Sequence, residues 1–193
     1  YNLFKNNFTA KIVDSEFAGG DIFIPKNVEY NNERYLIVEI LENAFAFNEN
    51  IQTITFANDS EVKFIGNKAF AYSSLKHITF PSKIQSFGES LFLKCENLIS
   101  VDFLPNNELH SMGNNVFSNS SIQKLSIPSK IEKLESGWCK NAINLSEIII
   151  SPDNKFLKYE DKKLLLGKSN EKEENYDILY YVHCDITEVE IPI

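Results

Sequence analysis

One pattern of apolar residues recurs along most of the chain, and it constrains the fold more strongly than any other feature of the sequence. Each unit has an L-x-x-I-x-F/I segment followed by an I-G-x-x-A-F segment, as in the stretch from Ile51 to Phe70. Units begin at residues 51, 75, 98, 122 and 145, in steps of 24, 23, 24 and 23 residues. Repetition at a period of roughly 20–50 residues is typical of a solenoid, whose units bury their apolar faces only by stacking. We therefore predict a solenoid.

The two step lengths alternate because the loop after the first segment alternates in length. Five residues, ANDSE and LPNNE, follow that segment in the first and third units, whereas only PSK follows it in the second and fourth. The shorter units regain one residue before the next unit begins. This alternation indicates that the true repeat is a pair of units spanning 47 residues.

The first segment of each unit fits a leucine-rich-repeat strand, with positions 1, 4 and 6 facing the core and positions 3 and 5 facing outward. Pro81, Pro105 and Pro128 follow this segment and end the strand, because proline cannot donate to a central ladder. Apolar residues about three apart in the second segment predict a short helical turn. Its glycine is expected to serve a tight or positive-φ position. Leu41 and Glu135 replace this glycine in two units, so the requirement is not absolute.

The fold class that follows is a leucine-rich-repeat solenoid, by convention an α/β horseshoe, but mainly β with short helical turns and an N-terminal β-hairpin cap. We expect one continuous domain in four stretches: 1–50, the cap and a first partial repeat; 51–150, the repeats; 151–185, a β-hairpin insert; and 186–193, the start of a further truncated repeat.

Both ends of the stack need protection, because a terminal unit would leave its apolar face in water. The run from Asp21 to Ile40 reads as a β-hairpin that turns at Asn31-Asn32. In the insert, a charged loop from Lys168 to Asn175 separates two apolar runs and is interpreted as a solvated tip. Because the chain lacks an initiator Met and stops within a unit, we expect it to belong to a longer protein.

Composition excludes several classes of function. A formal net charge of -8 argues against a nucleic-acid-binding face, which needs clustered Lys and Arg, and against docking on an anionic membrane. No apolar run approaches the roughly 20 residues that cross a bilayer, so no direct membrane insertion is expected in this stretch of chain. The start of the chain also lacks the basic and apolar regions of a signal peptide.

The sequence offers no catalytic, cofactor or metal site. The histidines lie in different units without flanking motifs, and no G-x-S-x-G, H-E-x-x-H or phosphate-binding loop occurs. The cysteines, an odd number at wide spacing, are interpreted as small apolar residues rather than as zinc ligands or a disulfide framework. These residues are His77, His110, His183, Cys95, Cys139 and Cys184.

Four N-x-S/T sequences are candidate glycosylation sites in a secreted protein. Their asparagines are Asn7, Asn58, Asn119 and Asn144. Such short motifs also arise by chance, so they are compatible with secretion without establishing it.

The repeats resemble the BspA-like leucine-rich repeats, in which I-G-x-x-A-F is followed by L-x-x-I-x-I/F-P and no asparagine ladder occurs. The resemblance extends from the cap sequence DIFIPKNVEYNNERYLIVEILENAF to ITEVEIP, and SNSSIQKLSIPSKIEKLESGWCKNAINL resembles the expanded surface sets of parasitic protists. It implies an extracellular or cell-surface protein that attaches to host cells, matrix proteins or other microbes. The family has no shared catalytic or cofactor motif to carry over.

The candidate binding surface is the set of outward strand positions, which stacking aligns into two ladders about 4.8 Å apart from strand to strand. One ladder is Thr53, His77, Ser100, Lys124 and Glu147, and the other is Thr55, Thr79, Asp102, Ser126 and Ile149. This mixed polar strip suits a wet contact with a protein or glycan, but also a sheet face that is merely solvated. Aromatic anchors, if the surface uses any, are sought at Tyr72 or Tyr180-Tyr181.

Three function hypotheses remain open from the sequence. The first is a non-catalytic surface domain that binds host-cell or matrix macromolecules through the solenoid sheet. The second is a structural spacer without a ligand of its own, and the third is an intracellular interaction scaffold. An enzyme ranks below all three.

Overall fold

The computed structural model describes residues 1–14, 19–161, 163–170 and 172–182. Its strands are β1 Asn2–Phe4, β2 Thr9–Ile12, β3 Gly20–Ile24, β4 Asn27–Tyr30, β5 Glu33–Ile40, β6 Ile51–Phe56, β7 Phe64–Ile65, β8 His77–Phe80, β9 Ser86–Phe87, β10 Ser100–Phe103, β11 Ser111–Met112, β12 Lys124–Ile127, β13 Lys133–Leu134, β14 Glu147–Ile150, β15 Leu157–Glu160, β16 Leu164–Gly167 and β17 Ile178–Val182.

The main sheet consists of parallel strands that lie one repeat unit apart. Its order is β14-β12-β10-β8-β6-β3, so each unit adds one strand beside its neighbour in sequence. Position 4 is buried in each unit from 51 onward, and Ile54, Ile78 and Val101 lie side by side in the core. Pro81 and Pro128 follow β8 and β12 directly. The predicted leucine-rich-repeat solenoid is confirmed.

Short strands on the opposite side of the core close each coil. β2, β5, β7 and β9 pair in parallel, and β11 pairs in parallel with β13. At the N-terminal end, β1 and β4 add antiparallel partners to β2 and β5. The apolar side chains between the two layers form one continuous core.

The I-G-x-x-A-F segments form consecutive tight turns, and the expected helical turn is wrong in this detail. Ala71 N–H donates to the Lys68 carbonyl at 3.0 Å and Ser73 N–H to the Phe70 carbonyl at 3.2 Å, which are i→i−3 bonds. The described residues contain no helix. In each of these turns two residues adopt positive φ, and a left-handed residue interrupts a right-handed helix.

These positive-φ residues line up from coil to coil in two columns. The first left-handed column is Asn43, Lys68, Ser90, Asn115 and Gly137, and the second left-handed column is Phe47, Tyr72, Lys94, Asn119 and Asn141. Backbone N–H groups in the first four of these turns donate to carbonyls of the next coil, for example Phe70 to Leu91 at 3.1 Å and Phe92 to Val116 at 2.8 Å. The turns are therefore joined by a ladder of hydrogen bonds although they are not strands.

A column of aromatic rings runs through the core behind these turns. Phe45, Phe70, Phe92 and Phe117 stack in succession with centroids 5.4–5.6 Å apart. Trp138 meets Phe117 edge-on at 6.5 Å and contacts Tyr181 of β17 at 6.1 Å. The Tyr181 hydroxyl donates to the Leu145 carbonyl at 2.7 Å, which ties β17 to the last described repeat.

The repeat glycines are needed for close approach between coils rather than for positive φ. A Cβ at Gly66 would lie 2.7 Å from the carbonyl carbon of Leu41, and one at Gly88 would lie 2.5 Å from that of Gly66. A Cβ at Gly113 would be 3.1 Å from the Gly88 carbonyl oxygen. None of these three glycines adopts positive φ, so of the two roles expected from the sequence only the tight position applies.

The N-terminal hairpin is shorter than the sequence suggested. It joins β4 to β5 through Asn31 and Asn32, whose φ values of 51° and 62° are those of a tight hairpin turn. The segment from Asp21 to Ile24, interpreted from the sequence as an arm of this hairpin, instead lies in β3 and pairs in parallel with β6. The main sheet therefore begins one strand earlier than predicted.

At the other end, the apolar runs of the predicted insert form β16 and β17, which pair antiparallel. A third strand, β15, pairs with the other edge of β16 and was not predicted. The further repeat expected at 186–193, together with His183 and Cys184, lies outside the described residues. The division of the chain into four stretches stays a prediction.

Candidate functional site

The outward positions of the main sheet form a continuous face across six strands. Thr53 lies opposite His77, His77 opposite Ser100, Ser100 opposite Lys124, and Lys124 opposite Glu147. In the second ladder, Thr79 lies opposite Asp102 and Ser126 opposite Ile149. Thr55 faces β3, where Phe23 is its partner. The residues proposed from the sequence are thus neighbours on one face, and their role in binding stays a prediction.

Many of these polar side chains are paired with each other across strands. Two pairs are Thr53 Oγ1 donating to Asp21 Oδ1 at 2.6 Å and Ser126 Oγ donating to Asp102 Oδ1 at 2.7 Å. His77 Nδ1 lies 3.0 Å from Ser100 Oγ.

The charged pair of this face joins Lys124 Nζ to Glu147 Oε1 at 3.5 Å. Exposed pairs of this kind add about 0–1 kcal/mol to stability each. Their main effect is to hold side chains in fixed positions on the sheet.

Exposed apolar side chains lie near both edges of this polar face. Phe23 on β3 is 61% exposed, and Ile149 on β14 is 43% exposed. Phe23 was missed because its strand was assigned to the cap hairpin. The pattern Ile22, Ile24, Pro25 matches Ile78, Phe80 and Pro81, and this match could have identified β3 as a repeat strand.

An open apolar groove of about 300 Å³ lies where β10, β12 and β14 end. Its lining includes Phe103, Pro105 and Ile127, together with the outward ladder residues Ser126 and Ile149. The groove sits over the short loop that begins at Pro128, with a longer loop on either side. At this point the alternation of loop length leaves a recess in the edge of the sheet.

The histidines and cysteines that the structure describes do not form a reactive site. His77 and His110 are exposed and bonded to Ser100 and Glu132 respectively, in different parts of the solenoid. Burial raises the pKa of the Cys95 thiol to about 12, and that of Cys139 also to about 12. Thiols with such pKa values are poor nucleophiles at neutral pH. In the described ranges, no three His, Cys, Asp or Glu side chains are grouped as metal ligands would be.

All four asparagines of the N-x-S/T sequences are exposed. Two of them already make side-chain contacts, since Thr9 Oγ1 donates to Asn7 Oδ1 at 2.8 Å and Asn141 Nδ2 donates to Asn119 Oδ1 at 3.0 Å. Their glycosylation stays a prediction. Within the described part of the chain, no helix is long and apolar enough to cross a membrane.

The architecture and its site define a class of protein: a leucine-rich-repeat solenoid with a broad, laddered sheet face. A family model described as a BspA type leucine rich repeat region, in six copies, matches residues 21–160. The chain belongs to this BspA-type leucine-rich-repeat family. The match begins within β3, which agrees with the finding that β3 is a strand of the main sheet and not an arm of the cap hairpin. No curated protein matches the chain significantly.

Several solved bacterial structures share the fold. The pneumococcal vaccine antigen PcpA superposes with a TM-score of 0.70 at 19% identity, over 81% of this chain and 47% of that one. A leucine-rich-repeat protein of T. pallidum gives 0.66 at 21% identity, over 77% of this chain and 66% of that one. One from Eubacterium ventriosum gives 0.57 at 28% identity, over 68% and 34% respectively. The chain therefore spans less than two thirds of each of these relatives.

Proposed function

We propose that this chain is a non-catalytic adhesion domain of a cell-surface or secreted protein, and that it contacts a protein or glycan on host cells or in the extracellular matrix through the main sheet. One observation carries the proposal: the outward residues of six parallel strands are aligned in register into one face. Extended faces of this kind are the surfaces on which stacked repeats bind their partners.

The chemistry of the face suits a wet interface with a macromolecule. Protein interfaces combine apolar anchors with a polar, hydrated surround. Here Phe23 and Ile149 are exposed apolar groups near the two edges, and hydrogen-bonded polar pairs lie between them. Because these polar side chains are already held by neighbours, ordering them on binding costs less conformational entropy.

The apolar groove beside Ile149 offers a place for an anchoring side chain of the partner. Its volume of about 300 Å³ exceeds that of one large side chain. Binding energy is commonly concentrated where an apolar side chain fills such a recess away from water.

The proposed location rests on the family and on its relatives. The BspA-type family and the structural similarity to PcpA, a pneumococcal vaccine antigen, favour a surface or secreted protein. The proposal assigns no catalytic role, since leucine-rich-repeat solenoids are typically non-catalytic binding modules.

The test is binding of the purified, fluorescently labelled domain to epithelial cells and to a panel of immobilised matrix proteins. A variant with His77, Asp102 and Lys124 replaced by Ser should lose saturable binding. The matched control replaces His110, Glu174 and Lys172 by Ser, which removes a histidine and one charge of each sign from exposed positions off the sheet.

The possible outcomes distinguish the location of the binding site and the class of function. Loss of binding in the sheet variant alone supports the proposal. Loss in the control alone would move the site to the turns or the C-terminal hairpin. Absence of saturable binding by the unmodified domain would contradict it and favour a spacer, and capture of cytoplasmic proteins only would favour an intracellular scaffold.

A further inference from the structure

We propose a second binding site, for a neutral glycan, at the exposed aromatic stack of Phe47 and Tyr72 and the polar groove beside it. This site lies beside the segments that lead into β6, β8 and β10, whereas the apolar groove of the main sheet lies where β10, β12 and β14 end. It does not depend on the sheet contact proposed above.

The stack is an ordered feature built on three successive coils. The rings of Phe47 and Tyr72 lie 4.8 Å apart between centroids, with planes inclined by only 13°. Lys94 Nζ lies over the Tyr72 ring at 5.5 Å from its centroid. Tyr72 is thus held between Phe47 of the preceding coil and Lys94 of the following one, while Phe47 remains 68% exposed.

The backbone does not explain why aromatic residues occupy these positions. Phe47, Tyr72 and Lys94 belong to the second left-handed column, whose last two members are Asn119 and Asn141. Asparagine tolerates positive φ, whereas a bulky aromatic residue there is a rare and strained choice. The Asn119 N–H donates to the next coil at 2.8 Å, as the Tyr72 N–H does, so asparagine serves the turn equally well. Strained positions that carry exposed aromatic rings point to a function for the rings.

A groove of about 510 Å³ beside the stack supplies hydrogen-bonding groups of both kinds. Glu49 and Glu96 contribute carboxylate acceptors, Lys94 contributes an ammonium donor, and Ser74 and Asn97 contribute groups that can donate and accept. Asn97 Nδ2 makes a long bond of 3.4 Å to Ser74 Oγ, which a ligand can replace at little cost.

This combination fits a neutral sugar better than a cationic peptide. Each hydroxyl of a sugar donates and accepts, so it needs acceptors and donors close together, as Glu96 and Lys94 provide. A pyranose ring also has an apolar C–H face that packs against aromatic rings, whose faces carry partial negative charge. An Arg or Lys side chain would find the Tyr72 ring already in contact with the Lys94 ammonium, and that charge would repel it.

The experiment uses a printed array of neutral gluco-, galacto- and manno-oligosaccharides, followed by NMR titration of the domain with the strongest soluble ligand. Phe47→Asn and Tyr72→Asn are the test variants, because asparagine already occupies the same column at Asn119 and Asn141. We expect each to weaken glycan binding by at least about tenfold, as the loss of a stacked ring implies. Their thermal unfolding midpoints should not fall.

Tyr30→Asn is the matched control, since Tyr30 is also an exposed aromatic residue but lies on β4 of the cap. It should bind the oligosaccharide as the unmodified domain does. Glu49→Gln and Glu96→Gln, which keep an acceptor oxygen, should reduce affinity only a few-fold. The proposal is overturned if no neutral oligosaccharide binds at about 10 mM, if Phe47→Asn binds normally, or if an arginine-rich peptide competes for the same amide signals more tightly than any sugar.

Discussion

Asn107 and Asn154 lie 47 residues apart and make the same hydrogen bond. Each side-chain Nδ2 donates at 2.8 Å to the carbonyl of a proline 26 residues earlier, Pro81 for Asn107 and Pro128 for Asn154. Both prolines begin the short three-residue loops, and both asparagines lie in the longer loops of the following units. A long loop is therefore fastened onto the short loop beneath it, which gives the alternation of loop lengths a structural reason.

Ser60 occupies the equivalent position in the preceding pair of repeat units, 47 residues before Asn107. Ser60 Oγ accepts from the Val62 N–H at 3.4 Å, as Asn107 Oδ1 accepts from the Leu109 N–H at 2.9 Å. Ser60 belongs to the first unit of the 51–150 repeats, and among the described residues its shorter side chain makes no such bond to an earlier loop. The 47-residue pair inferred from the sequence is thus visible as a repeated hydrogen-bond pattern.

Replacing Asn107 by alanine should destabilise the domain by about 1–3 kcal/mol. Asn107 is almost fully buried, so the variant leaves the Leu109 N–H without a partner in a site with little water. The Pro81 carbonyl keeps only its long bond from the Ile84 N–H at 3.4 Å. Urea denaturation followed by circular dichroism gives the free energy of unfolding. Asp153→Ala, in the exposed part of the equivalent loop, should change it by less than about 0.5 kcal/mol.

Replacing Phe92 by alanine should cost about 3–5 kcal/mol through the cavity it leaves. Phe92 is fully buried and stacks between Phe70 and Phe117. Phe64→Ala is the control, because Phe64 is 45% exposed on β7. A loss below about 1 kcal/mol for Phe92, measured by the same denaturation, would contradict its place in the aromatic column.

The repeat could be predicted from the sequence because every unit buries the same pattern of apolar residues. Stacking forces Ile54, Ile78 and Val101 into one row, so their spacing alone fixes the strand register and the outward ladders. The turns could not be predicted in the same way. Apolar spacing of three fits a helical turn as well as successive β-turns, and residues such as Lys68 and Phe47 give no local indication of positive φ.

The stack of Phe47 on Tyr72 could not be predicted from the sequence either. Their separation of 25 residues is one unit plus one residue, and the relation becomes clear only once the turns are superimposed coil on coil. The sequence alone suggests Tyr72 as an anchor but does not indicate Phe47 as its partner. Pairings across strands, such as Asp102 with Ser126, likewise required the register and the rotamers of both residues.

Replacing Gly88 by alanine should destabilise the solenoid by about 1–3 kcal/mol, because the new methyl group would overlap the backbone of Gly66 and Asn67 in the preceding coil. Gly113→Ala should cost distinctly less. The nearest atom there is 3.1 Å away, and β9 and β11 do not pair with each other, so the backbones can separate slightly. Equal losses for the two variants in thermal and urea unfolding would rule out coil-to-coil contact as the reason for the glycine.

The stability of the domain should fall at alkaline pH in part because of Cys95. Burial raises the pKa of its thiol to about 12 in the folded chain, against about 8.5 for an exposed cysteine. Below about pH 8.5 the thiol is neutral in both states and its contribution to stability is complete. As the pH rises from there towards 12, the unfolded chain loses this proton and the folded chain does not.

The free energy of unfolding should therefore drop by about 1.4 kcal/mol per pH unit in that range from this one group. Cys95→Ala lacks the titrating thiol but keeps every other group that ionises in the same range, including Cys139. Urea denaturation of both proteins between about pH 8 and 10 gives their free energies of unfolding. The amount by which the unmodified chain exceeds Cys95→Ala should decrease as the pH rises. A constant difference between the two proteins, or labelling of Cys95 by a thiol reagent as fast in the folded as in the unfolded chain, would mean that the thiol is not held in the core beside the Phe70 carbonyl, to which it donates at 3.0 Å.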